Sequence, residues 1–228
     1  MAPNDSTPKD FYDKLSGDYN AAIERCVPRY REMLWAILRY VPDDLNPKNI
    51  LELGCGGGNL TELLLRRYPE ASIHCVDLSE EMIEQCRQRL RSEKVSFERA
   101  DFKQIRLAPA TFDLVVSSIS IHHLDDSAKR SLFRTIHDAL VPNGVFVYSD
   151  QFAGASEEIY RKHIEEWRAA AIQQGTTLEE WDEWMKHQDQ HDYHTPLADQ
   201  MSWLTGCGFK TVDCSWRYLL WAVVCAVK

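Results

Sequence analysis

The residues able to do chemistry fall into three groups. The first is the run Glu52-Leu53-Gly54-Cys55-Gly56-Gly57-Gly58-Asn59, in which a carboxylate leads into a glycine-rich turn. Glycines let the backbone turn sharply and approach a ligand closely, and a helix starting after them aims its first N–H groups at the same place. The second is Asp77, which ends an apolar run about 20 residues further on, near the offset at which a carboxylate can accept hydrogen bonds from a ribose. The third is histidine: His122 and His123 stand side by side, and His187, His191 and His194 share one polar run. Histidine titrates near neutrality, so it can serve as a base or, when neutral, ligate a metal.

The details of the turn narrow the ligand. A dinucleotide fingerprint G-x-G-x-x-G needs a third glycine where this chain has Asn59. The early carboxylate Glu52 repels a pyrophosphate and favours a cation. Together with Asp77 this implies a nucleoside carrying positive charge.

The elements that must position these residues follow from hydrophobic periodicity. Ile23, Val27, Tyr30, Leu34, Ile37, Leu38 and Val41 lie at helical spacing, which predicts one helix over Ala21–Val41. Strands are expected at 49–54, 72–77, 95–99, 112–118 and 145–150, with helices at 59–67, 80–92 and 126–140 between them. Such alternation means an α/β fold with a mostly parallel sheet, helices on both faces, and a crevice at the strand C-terminal ends. Residues 151–195 break the rhythm, being helical, polar and rich in Trp, His and Glu. They read as a lid insertion that caps the crevice and moves. A helix Pro196–Gly206 and strands Thr211–Trp216 and Tyr218–Val227 close the chain, the final strand antiparallel. The whole reads as a single domain: an N-terminal arm and helix (1–44), a core (45–150), the lid (151–195) and a C-terminal helix and hairpin (196–228).

At this point the chain resembles the class I S-adenosylmethionine-dependent methyltransferases. The glycine loop matches closely, and Asp77-Leu78-Ser79, Ala100-Asp101-Phe102, Phe112–Ser118 and Leu140–Phe146 are similar to that family's later motifs in order and spacing. The resemblance implies a Rossmann-like sheet of seven strands and S-adenosylmethionine as cofactor. It implies that Glu52, Gly54, Gly56 and Gly58 hold the methionine moiety, with Cys55 beside them on the cofactor, and Asp77 the ribose. Asp101 and Phe102 then contact the adenine, Leu78 and Met82 are further cofactor contacts, and Ser117, Ser118 and Ile119 form the cofactor floor. The segment Asp10–Tyr19 is similar to an arm that folds over the cofactor in related small-molecule enzymes, which would put Tyr19 in the site. Packing of that segment as a short helix is the alternative.

Methyl transfer needs alignment and exclusion of water more than covalent help. A base near the methyl assists a hydroxyl or ammonium acceptor, and His122 or His123, leaving the fourth strand, can supply it. Neighbours on a strand point to opposite sides, so at most one of the two faces the acceptor; His122 is preferred, with substrate contact, capping or packing as its other readings. His187 and His191 at i, i+4 could share a metal, but the carboxylate-rich ligand run of metal-using relatives is missing at Ile119–His123, so no metal is expected. Trp181 and Trp184 at i, i+3 read as packing first and as an aromatic substrate wall second.

The 228 residues carry 26 basic and 35 acidic side chains, a net charge of −9, which opposes nucleic-acid binding. That charge, and the lack of a matching arginine-bearing helix, count against a fainter likeness to the carboxymethyl-transferring tRNA uridine-modifying enzymes. An intact glycine loop counts against a non-catalytic binding subunit. No apolar run is long enough to span a membrane and no secretory signal is visible. The seven cysteines form no C-x-x-C pair and read as reduced, buried thiols. The expectation is thus a cytoplasmic monomer or homodimer that methylates a small molecule.

Overall fold

The computed structural model describes residues 19–228. Of the Asp10–Tyr19 arm only the Tyr19 backbone falls within it, so the expectation for that segment and for the Tyr19 side chain lies outside the described residues. The sheet has seven strands in the order β3-β2-β1-β4-β5-β7-β6: β1 Asn49–Leu53, β2 Ser72–Asp77, β3 Val95–Arg99, β4 Phe112–Ser118, β5 Leu140–Gln151, β6 Thr211–Tyr218 and β7 Trp221–Val227. The first five pair in parallel. β7 runs antiparallel to both β5 and β6. The strand order reverses between β1 and β4, and a doubly wound sheet opens its ligand crevice at such a point.

Strand residues alternate between two cores. Ile50, Ile73, Val147 and Val223 pack on one face, while Leu51, Phe146, Tyr148 and Val224 pack on the other, as a period of two requires. Helices α3 Asn59–Arg67, α4 Glu80–Leu90 and α5 Asp126–Ala139 lie between the strands as expected. β5 starts five residues early, at Leu140, where the β4 register shifts between Phe112 and Leu114.

The single helix expected over Ala21–Val41 is two, α1 Tyr19–Cys26 and α2 Tyr30–Arg39. Pro28 supplies no N–H to continue the ladder, and Arg29 turns the chain with φ 58° before α2.

The insertion is helical, α6 Glu157–Gln173 and α7 Leu178–His191. Each starts at a hydroxyl cap, Ser156 for α6 and, for α7, Thr177 in a reciprocal pair with Glu180. Trp167, buried to 1% exposure, joins the first core and donates its indole N–H to the Cys26 carbonyl at 2.6 Å. Trp181 and Trp221 meet its ring edge to face at 4.8 and 5.6 Å. Trp181 therefore packs, and the insertion is a built-in layer against α1 and β7. Helix α8 Leu197–Cys207 ends at Gly208, whose φ of +107° is open to glycine. Among the described residues no helix is long and apolar enough to cross a membrane.

Candidate active site

A cleft of about 260 Å³ opens at the C-terminal ends of β1, β2 and β4. Its floor is the glycine turn. Gly54 adopts φ +76°, and a Cβ there would sit 1.9 Å from Ser120 Oγ, so a side chain is excluded by both backbone and space. The turn is tied to β2: the Gly54 N–H donates to the Val76 carbonyl at 2.7 Å, and the Gly56 N–H donates to Asp77 Oδ2 at 2.9 Å. The other Asp77 oxygen accepts from the Ser79 N–H at 3.0 Å. Burial pushes the Asp77 carboxyl up, while the Ser79 and Gly56 N–H groups hold it back.

Glu52 stands in the cleft wall, 1% exposed. Burial pushes its carboxyl up to about 8, against hydrogen bonds from Thr61 and Cys75, with the nearby Cys86 and Asp77 charges adding to the rise. A carboxyl so desolvated stays protonated at neutral pH until a cation arrives.

Of the residues expected on the cleft, Glu52, Gly54, Cys55, Gly56, Asp77, Leu78, Met82, Asp101, Phe102, Ser118, Ile119 and His123 line it. Three expected residues do not. Gly58 caps α3 with φ +83°, and a Cβ on it would press on Cys86 Sγ at 2.8 Å, so its role is in packing. Ser117 is fully buried and donates its hydroxyl to the Leu53 carbonyl at 2.8 Å, locking β4 to β1 beneath the floor.

The third is His122, where the expected orientation is reversed. Ile119 turns with φ +56°, a conformation a β-branched residue seldom takes, and Ile121–His123 then form a 3₁₀ turn. That resets the alternation of the strand. His122 is 2% exposed and faces a smaller cavity behind the cleft, and His123 faces the cleft itself. The His122 N–H and Nδ1 both meet Asp150, at 2.9 and 2.5 Å. Burial opposes charge on His122, but the Asp150 and Asp192 carboxylates outweigh it and raise its pKa. Burial, with the His122 charge beside it, lowers the pKa of His123.

The insertion adds nothing to the large cleft and instead lines the smaller cavity with Trp184, His187 and Asp192. Asp192 reaches His123 Nδ1 at 3.0 Å and lies near His122, His187 and His194. The cleft also includes Tyr30, Asn59 and Ser120, which sequence reasoning did not place there. Asn59 donates to the Tyr30 hydroxyl at 3.2 Å and accepts from Arg89 at 2.7 Å; Arg89 also donates to the Gly57 carbonyl at 2.9 Å. An asparagine at the first turn of a helix beside a glycine loop was the available signal.

Residues 50–144 match the family model described as a methyltransferase domain. The chain is 39% identical over 113 residues to a malonyl-[acyl-carrier protein] O-methyltransferase of Chlorobium phaeovibrioides, covering 48% of this chain and 43% of that protein. It thus spans less than half the length of that relative. It is 23% identical to a carboxy-S-adenosyl-L-methionine synthase of Nitratiruptor over 96% of this chain and 92% of that one. An S-adenosylmethionine-dependent methyltransferase structure from Mesorhizobium loti superposes with a TM-score of 0.61 at 22% identity, covering 85% of this chain and 96% of that one. The match to a methyltransferase domain falls on the strands and the glycine turn that build the cleft. In that match, in its relatives and in its fold the chain is similar to the class I S-adenosylmethionine-dependent methyltransferases.

Proposed function

We propose that the chain transfers the methyl group of S-adenosylmethionine to a small-molecule acceptor, with the large cleft as the cofactor site. The observation that carries this reading is the pairing of a buried Glu52 carboxyl with a side-chain-free turn at Gly54 whose neighbour Gly56 is tied to Asp77. The cleft fits the cofactor: a Cβ at Gly54 would fill the cradle, and Glu52 offers a latent negative charge to a cation. When bound, S-adenosylmethionine supplies an electrophilic methyl on a sulfonium.

Glu52, Gly54 and Gly56 would hold the methionine end, Asp77 the ribose, and Asp101 with Phe102 the adenine. Ser118 and Ile119 form the wall between that site and the histidines. His123 takes over the role first given to His122, since it is the imidazole that lines the cleft. Its lowered pKa keeps it neutral near pH 7, which suits acceptance of a proton from an acceptor hydroxyl or ammonium. Asp192, 3.0 Å from His123 Nδ1, orients the ring.

The near full-length likeness to a carboxy-S-adenosyl-L-methionine synthase favours a second reading, in which the nucleoside is itself the product. Two measurements decide. Calorimetry should give micromolar or tighter binding of S-adenosylhomocysteine and negligible binding of NAD; the reverse result would sink the cofactor assignment. Mass spectrometry after turnover should then show S-adenosylhomocysteine, whereas a heavier sulfonium nucleoside would establish the second reading.

A further inference from the structure

Behind the cleft the Asp192 carboxylate stands among four imidazoles. His123 Nδ1 is 3.0 Å, His122 Nε2 3.7 Å and His187 Nε2 3.9 Å from its Oδ1, and His194 Nε2 is 3.7 Å from its Oδ2. The side chains of Asp192, His122, His187 and His194 are 3–7% exposed. Three of the four separations are too long for hydrogen bonds. They are close to the spacing of atoms sharing one ion: bonds of about 2.1 Å place neighbouring ligand atoms about 3.0 Å apart in an octahedron and about 3.4 Å apart in a tetrahedron. Ligand atoms of His122, His123 and Asp192 all lie within 4.8 Å of one another.

The surroundings are built in the same sense. Asp150 holds His122 Nδ1 at 2.5 Å, and the Tyr160 hydroxyl holds His194 Nδ1 at 2.5 Å, so each ring presents Nε2 to Asp192. A carboxylate or hydroxyl on the far nitrogen is the arrangement that fixes the tautomer and aim of metal-binding histidines. The chain has also been folded to bring this about. The Tyr193 N–H donates to the His122 carbonyl at 2.8 Å, and the buried Lys129 ammonium donates to the Tyr193 carbonyl and, at 3.0 Å, to Thr195. These bonds pin the end of the insertion against the 3₁₀ turn.

We propose that Asp192, His122 and His123, completed by His194 or His187, form a binding site for a divalent first-row transition metal. A set of imidazoles with a single carboxylate suits Fe(II), Co(II), Ni(II) or Zn(II), whereas Mg²⁺ and Ca²⁺ prefer sets of oxygen ligands. His123 lines the large cleft and Ile119 lines both cavities, so the ion lies where an open coordination position can take an oxygen or nitrogen of the acceptor; with the ion bound, His123 is a ligand and the metal replaces that imidazole in acidifying the acceptor. That last role rests on the methyl-transfer reading; metal binding itself does not.

The test uses the full chain without a polyhistidine tag, stripped with a chelator, dialysed, and titrated with Co(II). The expected result is uptake of one ion per chain with visible d–d absorption. Asp192→Asn should weaken uptake at least about 100-fold, and Asp150→Asn, which acts through His122, by about 10–100-fold. Absence of cobalt uptake by the wild type at micromolar concentrations, or equal uptake by Asp192→Asn, would overturn the proposal. If Asp192→Asn does not fold, wild type and Asp150→Asn decide, and an Asp150→Asn titration identical to wild type counts against the site. S-adenosylhomocysteine binding by the stripped protein is read in parallel. Its loss with cobalt uptake intact would strike the methyl-transfer reading and leave the metal site standing.

Discussion

Glu52 gives the sharpest test of the cofactor site. Its carboxyl is buried in the cleft wall and pushed up to about 8, chiefly by burial, so the cofactor-free protein holds a proton there at pH 7. A cation at the methionine end stabilises the carboxylate, and binding must then expel that proton. Removing a proton one unit below its pKa costs about 1.4 kcal/mol, a factor of about ten in affinity. The sign is fixed: each step downward in pH makes expulsion harder, so Kd for S-adenosylmethionine should rise about tenfold from pH 7 to pH 6. Working below pH 7 keeps the cofactor's own amino group, which titrates at about 7.7–8.0, protonated throughout. Calorimetry in buffers of different ionisation enthalpy reads the released proton directly. Glu52→Gln should flatten the dependence and release none. A wild-type Kd that is constant between pH 6 and 7, or a Gln variant that keeps the slope, would refute the reasoning.

Other outcomes follow from the same geometry. Asp77→Ala should weaken S-adenosylhomocysteine binding by roughly 1.5–3 kcal/mol, through loss of charge-assisted bonds to the ribose and of the Gly56 N–H anchor; calorimetry with unchanged affinity would remove Asp77 from the site. His122→Ala leaves the Asp150 carboxylate buried without its imidazole, so unfolding should be easier by about 3–5 kcal/mol in urea titrations, and a loss below about 1 kcal/mol would mean the pair does not hold β4 to β5. Trp167→Ala should cost about 3–5 kcal/mol. In wild type the amides around Trp167 and Trp181 should exchange as slowly as those of β1 and β4, with or without cofactor, and rapid exchange there would restore the idea of a moving lid.

Much of the architecture was legible because βα repetition and period-two strands leave few alternatives. The turn at Gly54, the end of β2 at Asp77 and the position of Asp101 and Phe102 follow from strand ends, and strand ends are set by local patterns. Pro28 was equally local, and its break between α1 and α2 was readable from the missing N–H. The facing of His122 and His123 was not. It depends on Ile119 taking a positive φ, which side-chain type argues against, and that one residue moves every later side chain off the strand's alternation. The role of the insertion was hidden for a different reason. Trp167 meets Cys26 and Trp221 across more than a hundred and about fifty positions of chain respectively, and polar surface pattern carries no record of such partners. The gathering of His187, Asp192 and His194 on His122 and His123 is equally nonlocal.

The position of β7 bears on how the chain reaches this structure. Among the described residues the walls of the large cleft come from residues 23–124, and their strands pair across at most 64 positions, Ile50 with Leu114. β7, by contrast, is inserted between β5 and β6, with Val145 facing Val227. Closing a loop of that length is entropically slow, and until it closes β5 has a bare edge, while Trp167 lacks the Trp221 ring. A chain that has built its cofactor half before β7 arrives exposes one open strand edge, that of β5. Self-association during refolding should arise at that edge rather than at the glycine turn, and a saturating nucleoside ligand would protect the cofactor half while doing little to speed the arrival of β7.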